Sequence, residues 1–313
     1  MLNSILALSV TQNASDLHLS SGEAPCIRVN GQLQFLSKDK LSPLELEIEL
    51  FNLLEQSQID TLKQYRQIDF AYHLAEVGRF RVNIFYQQRG ISAVFRVLNH
   101  CIPTLSQIKA PTIFRELAII KSGMILVTGA TGSGKSTTLA SLIQYINSTV
   151  AKHIITLEDP IEYIYQNDKS LIQQRELANF RHAIDGFLRQ DPDIILLGEL
   201  RNKYSIQAAL TAAETGHLVF ATLHTSSAIQ AINRIIDVFE DSSRDFIRLQ
   251  LSNSLKAIIN QKLVPVENGR KALFEVLINT PAVSNLINEG KIKQIFSLMQ
   301  TGQQYGMQVM PES

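Results

Sequence analysis

The sequence contains little cysteine and no long hydrophobic run. Only two of its 313 residues are cysteines, and Cys26 and Cys101 are too few and too far apart for a disulfide framework or a structural zinc site. This usage is typical of proteins of the reducing cytosol. No uninterrupted apolar stretch approaches the roughly eighteen residues that a membrane-spanning helix requires. We therefore expect a cytoplasmic protein that is neither exported nor inserted into a membrane.

Net charge is also absent, since twenty-nine lysines and arginines balance twenty-nine aspartates and glutamates. A chain without net charge has no overall field to attract nucleic acid or an anionic membrane, so no nucleic-acid partner is expected. Hydrophobic residues at 45% and charged residues at 19% are typical of folded globular proteins. A length of 313 residues exceeds the usual size of one domain, about 100 to 200 residues, and predicts two.

The N-terminal part of the chain favours a small α+β domain. An Asn-Gly pair at residues 30–31 predicts a hairpin between strands at 27–29 and 32–36. Alternating apolar and polar residues predict a second pair of strands at 79–86 and 91–98. Short strands that pair through tight turns are typical of an antiparallel sheet.

A linker is predicted at residues 99–111, where two prolines occur and no periodicity is clear. It separates an N-terminal domain at 1–98 from a larger C-terminal domain at 112–313. In the larger domain, apolar strands alternate with helices, which is the pattern of a parallel sheet covered on both faces. The predicted strands are at 124–128, 154–157, 194–197 and 218–222. We expect roughly the last hundred residues to be mostly helical, apart from a hairpin that turns at Asn268 and Gly269.

A phosphate-binding loop is predicted at residues 129–136, whose sequence GATGSGKS fits the pattern G-x-x-x-x-G-K-[ST]. The loop directly follows an apolar strand and precedes a helical stretch, which is the context that this pattern requires. Its glycines allow a tight turn in which backbone N–H groups and the helix N-terminus converge on phosphate oxygens. A glycine-rich turn that binds no ligand is the alternative interpretation.

Two side chains of this loop have predicted roles in binding ATP. Lys135 would neutralise the β and γ phosphates, and the Ser136 hydroxyl would bind Mg²⁺, which usually keeps several waters and takes few protein ligands. The remaining magnesium ligands would be water and phosphate oxygens. The residues expected to bind the nucleotide are Gly129, Ala130, Thr131, Gly132, Ser133, Gly134, Lys135, Ser136 and Thr137.

Hydrolysis requires a group that orients or deprotonates the attacking water, and Glu199 is the predicted catalytic residue. It stands just beyond the strand at 194–197, and ligands of open parallel sheets bind at the carboxyl ends of the strands. The preceding position, where many P-loop enzymes have a magnesium-linked Asp, is Gly198. Asp193 lies at the other end of the strand, about 20 Å away at 3.3 Å per residue. Alternatively, Glu199 only begins the next helix, where an acid complements the helix dipole.

Two further catalytic candidates are expected at the same edge of the sheet. Glu158 ends the neighbouring strand, although acids at strand ends are often only turn formers. His217 and His224 flank the strand at 218–222 on opposite ends, so only one of them can reach the nucleotide. His224, at the carboxyl end, is the predicted sensor of the γ phosphate, whereas His217 is interpreted as a helix-end residue.

Together these segments resemble the secretion and pilus motor ATPases over nearly the full chain. Residues 154–163 are similar to that family's Asp box, 191–199 to its modified Walker B motif and 211–227 to its His box. Residues 14–19 resemble the opening of its N-terminal domain. The resemblance implies an α/β fold, in which a RecA-like P-loop NTPase domain with a mainly parallel sheet follows a smaller PAS-like α+β N-terminal domain.

The resemblance also implies a hexameric ring of identical subunits that hydrolyses ATP with Mg²⁺. In such a ring, arginines of one subunit's N-terminal domain reach the neighbour's ATP, and the matching residues here are Arg79, Arg81 and Arg96. A planar cation would stabilise the charge that develops on the transferred phosphoryl group. Otherwise these arginines only line a solvated face of a strand.

Within the family, the chain resembles the retraction branch. Extension and type II secretion ATPases typically carry a four-cysteine zinc module, which two isolated cysteines cannot form. Residues 301–308, TGQQYGMQ, also resemble the C-terminal signature of the retraction branch. The resemblance implies a motor of pilin filament disassembly and twitching motility, located in the cytoplasm at the inner face of the bacterial inner membrane. Its expected partners are an inner-membrane platform protein of the pilus and a paralogous motor ATPase.

Two segments depart from the family pattern. The retraction signature Ala-Ile-Arg-Asn-Leu-Ile-Arg-Glu appears at residues 282–289 as AVSNLINE, so Ser284 and Asn288 replace both arginines. Beyond the modified Walker B motif, Asn202 and Tyr204 replace two acids. These departures favour an alternative, an accessory subunit that binds ATP and turns it over poorly. Alternatives from other classes are a RecA-like nucleic-acid motor, which the charge balance disfavours, and a P-loop kinase for a small molecule.

Overall fold

The computed structural model describes residues 1–98, 101–176, 184–266 and 269–311. The chain folds into two compact units, Met1–Cys101 and Ile102–Ser313, which we name the N-terminal and C-terminal units. Residues 99 and 100 of the predicted linker lie outside the described residues, as does Asn268 of the predicted hairpin turn.

The N-terminal unit is a six-stranded antiparallel sheet with three helices. The strand order is β3-β2-β1-β6-β5-β4, and every neighbouring pair is antiparallel. Its elements are α1 (Leu2–Thr11), β1 (Asp16–Ser20), β2 (Cys26–Val29), β3 (Gln32–Phe35), α2 (Pro43–Phe51), α3 (Gln56–Tyr65), β4 (Gln67–Leu74), β5 (Gly78–Gln87) and β6 (Gly90–Leu98).

Both predicted hairpins of this unit are confirmed. Asn30 and Gly31 have positive φ angles of 50° and 83°, a conformation that Asn and Gly adopt at low cost in two-residue hairpin turns. In β5, alternate residues enter the core of the unit, where Phe80, Val82 and Ile84 are fully buried. The alternation of apolar and polar residues therefore fixes which face of the second hairpin is internal.

Two elements of this unit, α1 and β4, have no clear boundary signal in the sequence. The first helix has no side-chain cap at its N-terminus, so the sequence contains no signal for its start. The fourth strand follows α3 directly, and that helix ends at Arg66 with a φ of 62°. A positive φ is uncommon in a residue other than glycine, so the pattern gives no sign that the helix ends there.

The C-terminal unit is a seven-stranded sheet with helices on both faces. Its strand order is β13-β12-β7-β11-β10-β8-β9, and all neighbouring pairs are parallel except β12 and β13. Its elements are α4 (Ile113–Ala118), β7 (Gly123–Thr128), α5 (Lys135–Thr149), β8 (His153–Glu158), β9 (Leu171–Glu176), α6 (Ile184–Phe187), β10 (Ile194–Leu197), α7 (Lys203–Glu214), β11 (Leu218–Leu223), α8 (Ala228–Asp237), α9 (Asp241–Ser254), β12 (Leu255–Val266), β13 (Gly269–Ile278), α10 (Pro281–Asn288) and α11 (Ile295–Thr301).

Alternate residues of the central strands enter two separate cores. In β10, Ile195 and Leu197 belong to the core that α7 to α11 cover, whereas Ile194 and Leu196 belong to the core that α4 and α5 cover. All four are buried, because a strand covered on both faces has no solvent side. This arrangement confirms the predicted α/β class and the mainly parallel sheet.

The four strands predicted for this sheet are confirmed as β7, β8, β10 and β11. The C-terminal part contains the helices α8 to α11, and the strands of the predicted hairpin are confirmed as β12 and β13, which pair antiparallel. The sequence did not predict that β12 also pairs in parallel with β7 and extends the central sheet. That strand begins at Leu255, immediately after Ser254 ends α9, so no glycine or proline marks the change of structure. The edge strand β9 was also missed, since its sequence LIQQRE is polar and only its second residue is buried.

Among the residues that the structure describes, no helix is both long enough and apolar enough to cross a membrane.

Candidate nucleotide site

The carboxyl ends of parallel strands bring the predicted site residues to one edge of the C-terminal sheet. Parallel pairing of β10 with β8 and with β11 places the ends of these strands at one level, and β7 lies beside β11. The phosphate loop follows β7, Glu158 ends β8, Glu199 follows β10 and His224 follows β11. Ligands of open parallel sheets bind at this edge, and we name it the candidate nucleotide site.

The phosphate loop is a tight turn between β7 and α5 that depends on its glycines. Gly129, Gly132 and Gly134 have φ angles of 145°, 75° and 88°, which residues with a side chain rarely adopt. Gly134 is the N-cap of α5. The free N–H groups of the first turn and the helix dipole therefore face the loop, which favours an anion there.

Lys135 is folded back against its own loop. Its Nζ donates hydrogen bonds to the carbonyl oxygens of Gly129 at 2.8 Å and Ala130 at 2.9 Å, and the residue is buried. Burial lowers the pKa of Lys135, and the nearby carboxylates of Glu199 and Glu162 oppose this shift. A phosphate is a stronger acceptor for an ammonium group than a neutral carbonyl, so the lysine is placed to exchange these bonds for phosphate contacts.

The remaining polar residues of the loop fit a bound Mg-nucleotide. The Ser133 hydroxyl is buried and has no hydrogen-bond partner among the described residues, although buried polar groups are normally paired. Ser136 stands in the first turn of α5 and is half-buried, with a hydroxyl oxygen of the kind that Mg²⁺ binds. The Thr137 hydroxyl lies 2.8 Å from the hydroxyl of Tyr163, which ties the start of α5 to the segment that follows β8.

Glu199 and His224 lie in contact with each other. Glu199 Oε1 is 3.4 Å from His224 Nε2, and His224 Nδ1 is 3.4 Å from Lys135 Nζ and 3.5 Å from the Thr131 hydroxyl. An ammonium group can only donate, so Nδ1 is the acceptor in the contact with Lys135, and Nε2 is the ring nitrogen that faces Glu199. His224 thus joins the predicted catalytic carboxylate to the phosphate loop.

Arg201 also belongs to this site and was missed as a site residue. Its Nε donates a hydrogen bond to Glu199 Oε2 at 2.8 Å, and its NH1 donates to Asp159 Oδ2 at 3.3 Å. The hydrogen bond to Glu199 raises the pKa of Arg201. The only sequence signal was the position of Arg201, two residues beyond a predicted catalytic acid.

Glu158 lies at the end of β8 in a more enclosed environment. Its Oε1 accepts hydrogen bonds from the Thr156 hydroxyl at 2.7 Å and from Gln174 Nε2 at 3.4 Å. Burial raises the pKa of Glu158 from its ordinary value of 4.5 to about 7, although both hydrogen bonds lower it. A carboxyl group with a pKa near neutrality can take up or release a proton at physiological pH.

Replacing Glu158 with Gln is expected to stabilise the protein above pH 7 and to have little effect at pH 4.5. Below 4.5 the carboxyl is protonated in both states, whereas between 4.5 and about 7 it ionises in the unfolded chain only, which favours unfolding of the parent. The free energy of unfolding of Glu158→Gln should exceed that of the parent by a plateau value of about 1 to 3 kcal/mol above pH 7. Thermal unfolding midpoints of the variant and the parent between pH 4.5 and pH 8 measure this gain in stability. The control is Glu116→Gln, because Glu116 is exposed. A gain of the same size at pH 4.5 and pH 8 would contradict the assignment.

Gly198, which stands where many P-loop enzymes have an Asp, and Asn202, which replaces an acid of the family, both have structural explanations. A Cβ atom at Gly198 would lie 3.2 Å from the carbonyl oxygen of Leu157, so the close approach of β8 disfavours a carboxylate in front of Glu199. Asn202 is the N-cap of α7, and its side chain accepts from the backbone N–H groups of Tyr204 and Ser205 at 3.1 Å. Asn and Asp cap helices equally well, so replacing the family's acid preserves the cap.

β12, whose pairing with β7 the sequence did not predict, supports the phosphate loop. The Thr138 hydroxyl of α5 donates to Gln261 Oε1 at 2.6 Å. A Cβ atom at Gly129 would lie 2.4 Å from the Gln261 carbonyl oxygen, and one at Gly134 would lie 2.8 Å from Gln261 Nε2. These two loop positions therefore require glycine because of β12 as well as because of their φ angles.

Asn260, which precedes Gln261 in β12, connects two loops of the site. Its Oδ1 accepts from the Thr128 hydroxyl at 3.2 Å, and its Nδ2 donates to the Ser226 carbonyl at 2.9 Å. Thr128 precedes the phosphate loop, and Ser226 lies in the segment that carries His224. Asn260 is almost completely buried, so its amide fixes these two segments relative to each other.

Gly129→Ala is expected to destabilise the protein more than Gly132→Ala. Both positions have a positive φ, which costs about 1 to 2 kcal/mol for a residue with a side chain. Only Gly129 also has atoms closer than 3 Å to an added Cβ, whereas nothing lies within 4 Å at Gly132. We expect Gly129→Ala to lower the thermal midpoint by about 4 to 8 °C and Gly132→Ala by about half as much. Equal midpoints in scanning calorimetry would contradict the contact with β12.

His217 and Asp193 lie at the opposite end of the central strands. His217 Nδ1 is 3.0 Å from the carbonyl oxygen of Ala212, in the last turns of α7. Asp193 accepts from Lys152 Nζ at 2.7 Å and from the backbone N–H of His153 at 2.9 Å. Both residues form hydrogen bonds at the amino ends of the strands, away from the candidate nucleotide site.

The three arginines predicted to act on a neighbouring subunit lie on β5 and β6 of the N-terminal unit. Arg81 and Arg96 are direct cross-strand neighbours, and Arg79 lies on the same face of β5 because side chains alternate with a period of two. Arg96 Nε donates to Asp16 Oδ1 at 3.0 Å, while its side chain remains 62% exposed. Their contact with a neighbour's nucleotide stays a prediction.

Comparison with known proteins places this geometry in a family. The chain is 43% identical over 314 residues to the type IV pilus retraction ATPase PilT of Pseudomonas aeruginosa, covering 99% of this chain and 91% of that protein. It is 47% identical over 322 residues to a twitching motility protein of Neisseria gonorrhoeae, covering 99% and 85%. A crystal structure of the pilus retraction motor PilT with bound ADP superimposes with a TM-score of 0.91 at 41% identity, covering 99% of this chain and 94% of that one.

The superposition confirms the RecA-like fold and the smaller N-terminal unit that were expected from the resemblance. The family model for the type II/IV secretion system protein matches residues 1–308, so both units of the chain are included in the match. This chain is a member of the type II/IV secretion system protein family.

Proposed function

We propose that the chain is an ATP-hydrolysing motor of type IV pilus retraction, which couples Mg-ATP hydrolysis in a hexameric ring to disassembly of the pilin filament. One observation carries the proposal. A complete phosphate loop meets Glu199 and His224 at one sheet edge, in a chain that aligns over 99% of its length with a pilus retraction ATPase and a twitching motility protein.

Each residue of the site has a chemical role in this proposal. Lys135 and the loop N–H groups bind the β and γ phosphates, and the Ser136 hydroxyl holds Mg²⁺, which neutralises charge on the phosphates when it is bound. Glu199 orients or deprotonates the attacking water. His224 contacts both Glu199 and Lys135, so it can report the occupancy of the phosphate loop to the carboxylate. Glu158 assists as a second acid with a pKa near 7.

The proposal includes a ring in which neighbouring subunits complete the site. Arg79, Arg81 and Arg96 of one N-terminal unit would contact the neighbour's ATP, where a planar cation stabilises the transferred phosphoryl group. We assign residues 1–98 to this PAS-like domain, 99–111 to a linker and 112–313 to the ATPase domain. The motor would act on the pilus at the inner face of the inner membrane, and its partners would be an inner-membrane platform protein and a paralogous motor.

A second candidate is an accessory subunit that binds ATP and hydrolyses it poorly. Ser284 and Asn288 of α10 replace both arginines of the retraction signature. The Ser284 hydroxyl donates to the Ser252 carbonyl at 2.9 Å, and Asn288 is exposed. The surface of α10 is therefore neutral at two positions where the family signature is basic, and a partner that requires those charges would not recognise it.

Phosphate release by the purified chain with Mg-ATP tests the proposal, with ring assembly followed by mass photometry. Turnover that depends on assembly is the expected result. Tight ATP binding without turnover would favour the accessory subunit, and a phosphorylated small-molecule product would favour a kinase. Salt-dependent binding of DNA or RNA that stimulates turnover would favour a nucleic-acid motor.

Pilus retraction itself requires a cellular test. The chain is expected to restore twitching motility in a bacterium whose own retraction ATPase has been deleted. A restored phenotype that also requires Lys135 would support the motor. An active ring that restores no motility would instead limit the proposal to ATP hydrolysis.

A further inference from the structure

Both oxygens of the Glu199 carboxylate are engaged by cationic or donor groups of the same chain. Oε2 accepts from Arg201 Nε at 2.8 Å, and Oε1 lies 3.4 Å from His224 Nε2. A carboxylate held at both oxygens has a defined rotamer and plane. The water that it activates would then be bound in one orientation.

Arg201 is itself held by a second acid. Its NH1 donates to Asp159 Oδ2 at 3.3 Å, and Asp159 immediately follows β8, whereas Arg201 and Glu199 follow β10. The guanidinium therefore bridges two neighbouring strand ends. Its planar fork allows two donors to act in fixed directions at once.

This pair contributes little to the stability of the fold. The side chain of Arg201 is 52% exposed and that of Glu199 is 28% exposed, and ion pairs that solvent reaches in this way contribute little to stability. A backbone hydrogen bond also joins the chain after β10 to β11 without this ion pair, since Leu200 N donates to the Thr222 carbonyl at 3.0 Å. A function other than stabilisation therefore explains the contact better.

We propose that Arg201 is a positioning residue for ATP hydrolysis, which acts through Glu199 and is itself oriented by Asp159. The inference rests on the proposed function, in which Glu199 activates the attacking water. Arg201 needs no contact with the nucleotide in this role. It fixes one carboxylate oxygen, so that the other oxygen, beside His224, is directed toward the phosphate loop.

Arg201→Ala is expected to lower kcat for Mg-ATP by about 10- to 100-fold, since a misplacement of about 1 Å can cost 100-fold. The KM and the affinity for ATP should stay within about 2-fold of the parent, because the residue binds no substrate. Arg201→Lys should retain part of kcat, since it keeps the charge but loses the planar fork. Arg244→Ala, which removes a half-buried arginine that pairs with Asp241 on α9, is the matched control and should leave kcat unchanged.

A double-mutant cycle separates positioning from a structural role. In a Glu199→Gln background, Arg201→Ala should reduce the residual turnover by less than 2-fold, because residues that act through one group are not additive. Asp159→Asn should reproduce part of the loss of kcat in the parent background. Additive losses, or an increase in KM as large as the fall in kcat, would overturn the inference.

Failure of the inference and failure of the proposed function give different results. Turnover that Glu199→Gln abolishes but Arg201→Ala leaves unchanged would overturn only the role of Arg201. A parent protein with no turnover would overturn the proposed motor. In that protein, the positioning role would also be excluded, because Arg201 would have no reaction to support.

Discussion

Replacing Glu199 with Gln is expected to lower Mg-ATP turnover by about 100- to 10,000-fold, which is the range for loss of a general base. ATP should still bind close to the parent affinity, because the phosphate contacts of the loop are unchanged. The amide cannot accept a proton from water, although it fits the same space. Glu199 is the carboxylate that His224 connects to the phosphate loop, through contacts of 3.4 Å on either side of the ring.

Single-turnover measurements test this expectation most directly, since they separate the chemical step from binding and product release. Glu289→Gln is a suitable control, because Glu289 is exposed and forms an ion pair with Lys291 at 2.8 Å. Turnover of Glu199→Gln within a few-fold of the parent would contradict the role of Glu199. Glu158, a second carboxyl group at this edge of the sheet whose pKa is raised to about 7 by burial, would then become the stronger candidate.

Replacing Lys135 with Ala is expected to weaken ATP binding by about 10- to 100-fold, the equivalent of one lost charge-assisted hydrogen bond to phosphate. Turnover should fall below detection, because the charge that develops on the phosphoryl group is no longer neutralised. Lys135 stands at the start of α5, and its Nζ already lies within 3 Å of two carbonyl groups of the loop. The substitution therefore removes the only cation that the loop sequence itself contains.

Isothermal titration calorimetry with Mg²⁺ and a non-hydrolysable ATP analogue measures the loss of affinity. Lys152→Ala is a matched control, since Lys152 pairs with Asp193 at 2.7 Å at the opposite edge of the same sheet. Circular dichroism of each variant checks that the fold is retained. Unchanged affinity in folded Lys135→Ala would show that the loop does not bind the phosphates.

The sequence predicted those parts of the site whose chemistry is contiguous in the chain. Eight consecutive residues define the phosphate loop, and the apolar run before it identifies the strand that presents it. The loop therefore lies where it was predicted, between β7 and α5. Glu199 and His224 were also expected at the carboxyl edge, because each follows a recognisable buried strand.

Residues that reach the site through polar or unmarked segments could not be predicted. Asn260 and Gln261 interrupt the apolar pattern of β12, which also begins without a helix stop signal. Their hydrogen bonds with Thr128 and Thr138, which flank the phosphate loop, join residues more than 120 positions apart in the chain. Secondary-structure propensity and hydrophobic periodicity depend only on residues that are close in sequence, so they cannot predict a contact over such a separation.

By itself, the sequence determined the alternating strands and helices, the two hairpins of the N-terminal unit and the phosphate loop. These features follow from the period of apolar residues and from glycine at positive φ, which act over a few neighbouring residues. The tertiary structure alone decided that Arg201 bridges Glu199 and Asp159, and that β12 supports the loop. Such contacts form only when the order of strands in the sheet brings distant chain segments together, and strand order is a property of the whole packed core.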